Sequence, residues 1–184
     1  MDEQLQELRG IIRERSLRIG DFTLSSGKKS SYYLDCRMTT LNPRGALLIG
    51  RLILGLMREH KISADAIGGL TMGADPIVSA VAVVSSLEGA PLPAFIVRKE
   101  AKGHGTKRSI EGYDGKPGAR VVIVDDVCTT AGSLLTAAGK AEEAGYNVVA
   151  TFCVVDREEG GTGIISQKYP FYALLTARDL LNNA

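Results

Sequence analysis

The chain alternates between short apolar runs and longer stretches in which apolar residues recur every three or four positions. The apolar runs predict buried strands at residues 66–70, 94–97, 121–124, 148–155 and 172–175. The intervening stretches predict helices at residues 43–60, from residue 75 and at residues 133–144, followed by a short helix at the end of the chain. Strands that alternate with helices predict an α/β fold with a doubly wound, mostly parallel central sheet flanked by helices.

The first forty residues follow a different pattern. Leucine and isoleucine residues at helical spacing predict an amphipathic helix over residues 3–17 that ends near Gly20. Phe22 and Leu24 then alternate with polar residues, and a polar turn separates them from a second apolar segment at residues 32–34. This arrangement predicts a hairpin, and composition alone favours a simple polar turn between two edge strands.

The length and charge of the chain indicate its domain count and the kinds of partner it is expected to bind. A chain of 184 residues with 45% hydrophobic content is long enough for one sizeable core, so we expect a single domain over residues 1–184. The 22 basic and 21 acidic side chains leave a net charge of +1, which gives no global field to attract nucleic acid or a membrane. The charged N-terminus shows no export signal, and no apolar stretch reaches the length of a membrane span. Because the net charge is close to zero, any site that binds an anion must depend on a local group of cations or hydrogen-bond donors.

The three cysteines, Cys36, Cys128 and Cys153, lie far apart in the sequence and show no CxxC spacing. This pattern argues against a disulfide framework and against a zinc cluster, so we expect a cytoplasmic location. Walker and dinucleotide-binding glycine patterns are absent from the sequence as well.

The stretch VVIVDDVCTTAGS at residues 121–133 carries the clearest chemistry. Where a buried parallel strand leads into a helix, the start of the helix presents unpaired backbone N–H groups. The small hydroxylated residues of this stretch add further donors that suit a phosphate. Asp125 and Asp126 would repel that phosphate unless they face sugar hydroxyls or the water shell of a magnesium ion. The stretch therefore predicts a binding site for a phosphorylated sugar. The alternative to a binding site is a structural role, in which one of the two aspartates caps the helix and the other is solvated.

This stretch resembles the phosphoribosyl pyrophosphate (PRPP) motif of the type I phosphoribosyltransferases. The resemblance implies that Asp125 and Asp126 hold the ribose hydroxyls and that the following loop wraps the 5′-phosphate. It assigns to PRPP the run Asp125, Asp126, Val127, Cys128, Thr129, Thr130, Ala131, Gly132 and Ser133. Ala131 departs from the family, which usually has glycine there.

Residues 98–108 combine five Lys or Arg residues with a histidine and two glycines, which predicts a mobile loop. A solvated charged loop is the alternative, but a leaving pyrophosphate needs several cations. The segment R-K-E-x-K-x-H-G resembles the flexible-loop signature of the orotate phosphoribosyltransferases. The resemblance implies that Arg98, Lys99, Lys102 and His104 bind the diphosphate across the interface of a homodimer with shared sites.

Two further segments resemble the same family. Residues 22–33 are similar to the segment F-T-L-x-S-G-x-K-S-x-Y-x of its N-terminal hood, which covers the pyrimidine, although Ser25 stands where some members carry lysine. The loop after residues 66–70 lies beside pyrophosphate in the family, and it has Met72 and Gly73 where some members have Tyr-Lys. Arg157, at the end of a predicted strand, is either a surface ion pair or a partner for a carboxylate. The resemblance implies that Arg157 and Thr129 bind orotate.

The resemblance implies transfer of a phosphoribosyl group from PRPP to orotate, with Mg²⁺ held mainly through PRPP and without direct metal ligands. Lys102, His104, Asp125 and Asp126 would be the catalytic residues, and residues 1–40 with part of the C-terminus would form the hood. A purine phosphoribosyltransferase would lack the basic loop and would not need Arg157. A PRPP-sensing regulator of the same fold would normally carry a DNA-binding segment, for which residues 1–20 are too short.

Overall fold

The computed structural model describes residues 2–23, 27, 29–100 and 109–182. The chain begins with helix α1 (Asp2–Arg15), strands β1 (Leu17–Thr23) and β2 (Lys29–Leu34), and helices α2 (Arg37–Thr40) and α3 (Pro43–Glu59). It continues with β3 (Ala66–Leu70), α4 (Asp75–Leu87), β4 (Ala94–Val97), β5 (Ile110–Glu111) and β6 (Arg120–Cys128). It ends with α5 (Gly132–Glu143), β7 (Asn147–Asp156), α6 (Gly161–Ile165), β8 (Phe171–Thr176) and α7 (Ala177–Leu181).

The central sheet of the described residues has the strand order β5-β4-β3-β6-β7-β8. Neighbouring strands are parallel except for β5, which runs antiparallel to β4. The predicted doubly wound, mostly parallel sheet is therefore confirmed. From β3 the chain passes through α4 to β4, and from β6 it passes through α5 to β7 on the other side. Ligands of such sheets bind outside the carboxyl ends of the strands where the order reverses, which here lies between β3 and β6.

The two faces of the sheet are covered by different helices. Val122 and Val124 of β6 belong to a core formed with α1, α3 and α4, whereas Val121 and Ile123 belong to a core formed with α5. Because successive side chains of a strand point to opposite faces, β6 is apolar on both of them. This double burial explains the unbroken valine and isoleucine run that the sequence shows.

The N-terminal hairpin is confirmed, since β1 and β2 pair antiparallel in a separate two-stranded sheet. The first helix is shorter than predicted, because it ends at Arg15, and Gly20 lies inside β1. The buried stripe of α1 stops at Ile12, so the residues after Arg15 have no helical face to bury and pair with β2 instead. Leu24 lies outside the described residues.

The predicted strands and long helices appear within one or two residues of their expected ends, except that β6 continues four residues beyond the predicted end, to Cys128. Helix α3 begins after Asn42, whose side-chain oxygen accepts hydrogen bonds from the backbone N–H groups of Arg44 and Gly45, both at 3.1 Å. The sequence did not predict α2, α6 or β5, which are too short to produce a hydrophobic period. None of the described helices combines the length and apolar character needed to cross a membrane.

Candidate active site

A cleft of about 320 Å³ opens at the carboxyl ends of β3 and β6. It is lined by residues 33–37 from the end of β2 and the start of α2, residues 70–73 after β3, Lys99, residues 125–127 and Ser133. The hairpin therefore contributes one wall, and the two central strands contribute the other. The cleft brings together the aspartates, the first lysine of the basic segment and the start of α5.

Asp125 and Asp126 lie within β6, which extends to Cys128, rather than after the strand as the sequence pattern suggested. Burial, and then the charge of Asp126, raises the pKa of Asp125 to about 7. Burial also raises the pKa of Asp126, although the backbone N–H of Val127 donates to its Oδ1 over 2.9 Å and lowers it. Two carboxylates buried in this way are stabilised in their charged form by hydroxyl donors or by cations. The hydroxyls of a ribose are donors of this kind.

The loop after β3 approaches this pair very closely. A Cβ atom at Gly73 would lie 2.7 Å from Oδ1 of Asp126 and 2.8 Å from Oδ1 of Asp125. Only glycine leaves room for both carboxylates in this arrangement. The hydroxyl of Thr71 donates to Oδ2 of Asp75 at 2.8 Å and ties the loop to the start of α4. The sequence identified this turn as a loop but did not predict its contact with the aspartates.

The predicted phosphate loop, residues 128–133, runs directly into α5. Ala131 adopts the left-handed conformation with φ 61°, which glycine favours, and no side chain caps the start of the helix. Among the hydroxylated residues of the loop, Thr130 is exposed and Thr129 is half-buried. Cys128 has a buried side chain, so its thiol is not available to a ligand. Uncapped N–H groups at a helix start are the groups that bind a phosphate, so the start of α5 suits the predicted role of this loop.

Only residues 98–100 of the basic segment at its N-terminal end lie within the described residues. Lys99 lines the cleft. Arg98 pairs instead with Glu111 of β5, with Nε and Oε1 2.6 Å apart. Lys140 of α5 donates to the backbone carbonyls of Arg98 and Lys99 at 2.6 and 2.7 Å, which links the base of the segment to the helix of the phosphate loop. Lys102 and His104, like Ser25 of the hood, lie outside the described residues.

Arg157 follows β7 and lies beside the phosphate loop, because its backbone N–H donates to the carbonyl of Cys128 at 2.9 Å. Its side chain is only 9% exposed. The guanidinium lies over the ring of Tyr32, 4.7 Å from its centroid, and Nε donates to the hydroxyl of Tyr32 at 3.2 Å. Glu159 pairs with the same Nε at 2.9 Å. The hood and the core thus hold one guanidinium together.

Gly161 fixes the distance between the Arg157 segment and the phosphate loop. A Cβ atom there would lie 2.7 Å from the carbonyl oxygen of Thr129, 2.8 Å from Sγ of Cys128 and 2.9 Å from the backbone nitrogen of Ala131. The backbone N–H of Gly161 also donates to the carbonyl of Thr129 at 3.0 Å. Thr129 and Arg157, to which the family resemblance assigned orotate binding, therefore lie on adjoining segments.

Sequence reasoning missed two charged residues of the cleft, Asp35 and Arg37. Arg37 donates from Nε and Nη2 to the two carboxylate oxygens of Asp35, at 2.8 and 3.0 Å. The D-x-R spacing is the signal that could have found this pair. Its position in the cleft depends on how the hairpin folds over the sheet, which no local pattern reveals.

The site offers a metal ion few protein ligands. The part of the chain that the structure describes contains no group of three or more His, Cys, Asp or Glu side chains placed to hold a metal ion. A pair of aspartates beside a phosphate loop fits Mg²⁺, which usually keeps several waters and takes most of its other oxygens from substrate phosphates. The residues present therefore fit an ion that arrives with its substrate.

Comparison with known proteins agrees with this geometry. The family profile for the phosphoribosyl transferase domain matches residues 39–169. The chain is 48% identical to an orotate phosphoribosyltransferase of Thermosynechococcus vestitus, with 98% of this chain and 96% of that protein covered.

Solved structures give the same result. The chain is similar to the crystal structure of Mycobacterium tuberculosis orotate phosphoribosyltransferase in complex with Fe(III) dicitrate, with a TM-score of 0.86, 39% identity and coverage of 97% of this chain and 99% of that chain. The structure of the Mycobacterium tuberculosis enzyme with PRPP matches with a TM-score of 0.77 and 32% identity, covering 97% of this chain and 92% of that one. The chain therefore belongs to the orotate phosphoribosyltransferases, within the phosphoribosyl transferase domain family.

Proposed function

We propose that this chain transfers the 5-phosphoribosyl group from PRPP to orotate, giving orotidine 5′-monophosphate and pyrophosphate in de novo pyrimidine biosynthesis. The observation that carries this proposal is the pair of buried carboxylates at the end of β6, which faces Gly73 across the sheet centre and adjoins an uncapped helix start. This arrangement provides acceptors for sugar hydroxyls beside donors for a phosphate.

In this proposal PRPP lies along the cleft with its ribose on the aspartates. Asp125 and Asp126 accept hydrogen bonds from the two ribose hydroxyls. The 5′-phosphate is bound by the loop of residues 128–133, through backbone N–H groups at Ala131 and Gly132 and the hydroxyls of Thr129, Thr130 and Ser133. Cys128 begins this loop, and Val127 lines the cleft before it. The diphosphate points towards Lys99 and the loop at Gly73, which line the same cleft.

The reaction breaks the bond between ribose C1 and the diphosphate oxygen and forms a bond from C1 to N1 of orotate, which loses its N1 proton. We propose a dissociative path with an oxocarbenium-like transition state. The carboxylates of Asp125 and Asp126 favour positive charge near the ribose, and cations stabilise the charge that develops on the leaving pyrophosphate. Lys102 or His104 passes a proton to that leaving group.

Arg157 is the proposed partner of the orotate carboxylate, with Thr129 beside it. A nearly buried guanidinium binds a carboxylate far more selectively than it binds the edge of an uncharged base. Nε of Arg157 is already engaged by Tyr32 and Glu159, and Nη2 donates to the hydroxyl of Ser30 at 3.5 Å. Nη1 and the second N–H of Nη2 are therefore the donors left for a substrate. This residue therefore favours orotate over a purine base as the acceptor.

We also propose that Asp125 and Asp126 would face a Mg²⁺ ion held mainly by the phosphates of PRPP. When bound, the ion supplies charge neutralisation on the diphosphate. The protein residues hold the ribose and exclude water from C1.

A homodimer with shared sites is the assembly that we propose. Leu41, Val83 and Leu87 are 72%, 60% and 79% exposed, and together with neighbouring proline and alanine residues they line an apolar depression of about 400 Å³. Exposed apolar patches of this kind mark protein interfaces. Helix α4 carries two of these residues and begins right after the loop at Gly73, so a second copy docked there would lie close to the cleft. Arg98, Lys99, Lys102 and His104 would then reach the partner's PRPP.

The proposed location is the cytoplasm. All three cysteines of the chain are described, buried and unpaired, which fits a reducing compartment. The net charge of +1 supports the absence of nucleic-acid and membrane partners.

The proposed reaction is tested by incubating the pure protein with PRPP, Mg²⁺ and orotate and following the loss of orotate absorbance. Adenine, guanine and hypoxanthine are tested in parallel. We expect turnover with orotate alone, whereas turnover with a purine base would contradict the assignment. PRPP binding without turnover of any base would indicate a PRPP sensor instead.

A further inference from the structure

We propose that Arg37 binds the diphosphate of PRPP within its own chain, as a cation of the site additional to the basic segment. This inference rests on the proposed function, since it names a further residue of the same site. Arg37 lines the cleft together with Lys99, Gly73 and Asp126. The 5′-phosphate loop lies at the start of α5, so the phosphate groups nearest to Arg37 are those of the diphosphate.

The backbone of Arg37 is held rigidly. Cys36 is 1% exposed, and its burial anchors the turn that precedes α2. The backbone N–H of Arg37 donates to Oδ1 of Asp35 at 3.1 Å, and the carbonyl of Asp35 accepts from the N–H of Met38 at 3.2 Å. The side chain therefore starts from a fixed point at the edge of the cleft, which limits the entropy lost when it binds a ligand.

The guanidinium is oriented by Asp35 and keeps one edge for a ligand. Nε and Nη2 donate to the two oxygens of Asp35, and this occupies one edge of the planar group. The edge formed by Nη1 and Nη2 still has N–H groups to donate, and arginine binds phosphates through two parallel hydrogen bonds from such an edge. The side chain is 49% exposed, so a ligand in the cleft can reach it.

The charges of the cleft require such a cation. Asp35, Asp125 and Asp126 line it, and within the described part of its lining only Arg37 and Lys99 are basic. A diphosphate could not enter a cleft with this acidic excess unless cations faced it. Burial raises the pKa of Asp126, and the positive charge of Arg37 lowers it, so the guanidinium acts electrostatically on a carboxylate of the same cleft.

A purely structural role for Arg37 would be to neutralise Asp35. Two variants separate this role from binding. R37M removes the cation and leaves the carboxylate of Asp35 in the cleft. The double variant D35N/R37M removes both charges, so the net charge of the cleft is the same as in the wild type. Arg44 provides the matched control, because it forms a similar ion pair with Glu7 and is 51% exposed but lies outside the cleft.

The experiment measures binding of inorganic pyrophosphate with Mg²⁺, and of ribose 5-phosphate, by titration calorimetry. We expect R37M and D35N/R37M to bind pyrophosphate about tenfold or more weakly than the wild type, as for loss of hydrogen bonds to a charged group. Ribose 5-phosphate affinity should change by less than about twofold in both variants, and R44M should match the wild type for both ligands.

Wild-type affinity for pyrophosphate in D35N/R37M would overturn the inference, because Arg37 would then act only by neutralising Asp35. An equal loss of pyrophosphate and ribose 5-phosphate binding would also overturn it. Failure of the proposed function would appear differently, as a wild-type preparation that makes no orotidine 5′-monophosphate from PRPP and orotate.

Discussion

Asp125 and Asp126 are carboxylates that the fold withdraws from water. The sequence predicted their role, because a valine run followed by two aspartates and small hydroxylated residues is a local signal. It could not predict Tyr32 beneath Arg157 or Arg37 in the cleft, since those contacts join segments that are far apart in the chain. Tyr32 and Arg157 meet only because the hairpin folds over the end of β7.

The pKa of Asp125 makes a prediction about stability. The folded-state pKa of about 7 lies above the ordinary value of 3.8, so the stability associated with this group is full below the ordinary value and is lost as the pH rises towards 7. We expect D125N to raise the free energy of unfolding of the ligand-free protein at pH 8 by roughly 1–3 kcal/mol. Urea unfolding at several pH values measures this difference.

The gain from D125N should shrink as the pH falls from 8 towards 4. D21N, on the exposed surface of β1, controls for the exchange of a carboxylate for an amide. A gain that is independent of pH, or a loss of stability at pH 8, would contradict the raised pKa of Asp125.

The hydroxyl of Tyr32 should matter for orotate and not for PRPP. Y32F keeps the ring beneath the guanidinium of Arg157 but removes the oxygen that accepts from Nε at 3.2 Å. We expect the KM for orotate to rise about threefold to tenfold, as for loss of one hydrogen bond to a charged group, with the KM for PRPP unchanged. Initial rates at varied concentrations of each substrate measure both constants.

Y172F, in β8 and outside the lining of the cleft, is the control for the loss of a tyrosine hydroxyl. Equal increases in both KM values for Y32F would mean that the hydroxyl serves the fold of the hood and not the position of Arg157.

At the level of elements, the long helices and buried strands follow from hydrophobic period, whereas the loops that form the site do not. The turn at Gly73 was recognisable as a strand-to-helix connection, but its approach to the aspartates depends on the adjacency of β3 and β6. The left-handed Ala131 was not predictable either, because alanine has no preference for that conformation.

The phosphate loop should tolerate glycine at position 131 but not valine. A131G relieves the backbone strain at φ 61° and loses one buried methyl group, so we expect the free energy of unfolding to change by less than about 1 kcal/mol. A131V places a β-branched residue in the left-handed region, and we expect a loss of about 2 kcal/mol or more and weaker PRPP binding. Urea unfolding and the KM for PRPP measure the two effects. A131V with wild-type stability and PRPP affinity would show that the loop does not hold this conformation in solution.

At the level of the whole molecule, the sequence predicted the sheet because alternating strands and helices allow few arrangements. The assembly is different, since no composition or period specifies it. The exposed face around Leu41 and Leu87 and the resemblance of the basic segment both support a dimer with shared sites.

Shared sites predict that two inactive variants restore activity when mixed. K102A removes the proposed diphosphate ligand, and D126N removes the proposed ribose ligand. In a hybrid dimer, the site with an intact Asp126 receives Lys102 from the other chain, so one site of two is complete. Half of the dimers are hybrids after equal mixing, so we expect about a quarter of the wild-type rate. Mixtures that stay as inactive as the separate variants would contradict sites shared in this way.

The position of bound PRPP is the central prediction for this molecule. A crystal structure of the protein with PRPP and Mg²⁺ tests this directly. We predict that the ribose hydroxyls lie within hydrogen-bond distance of Asp125 and Asp126 and that the 5′-phosphate lies on the loop from Thr129 to Ser133. A ribose and 5′-phosphate bound anywhere else in the chain would contradict the assignment of the site.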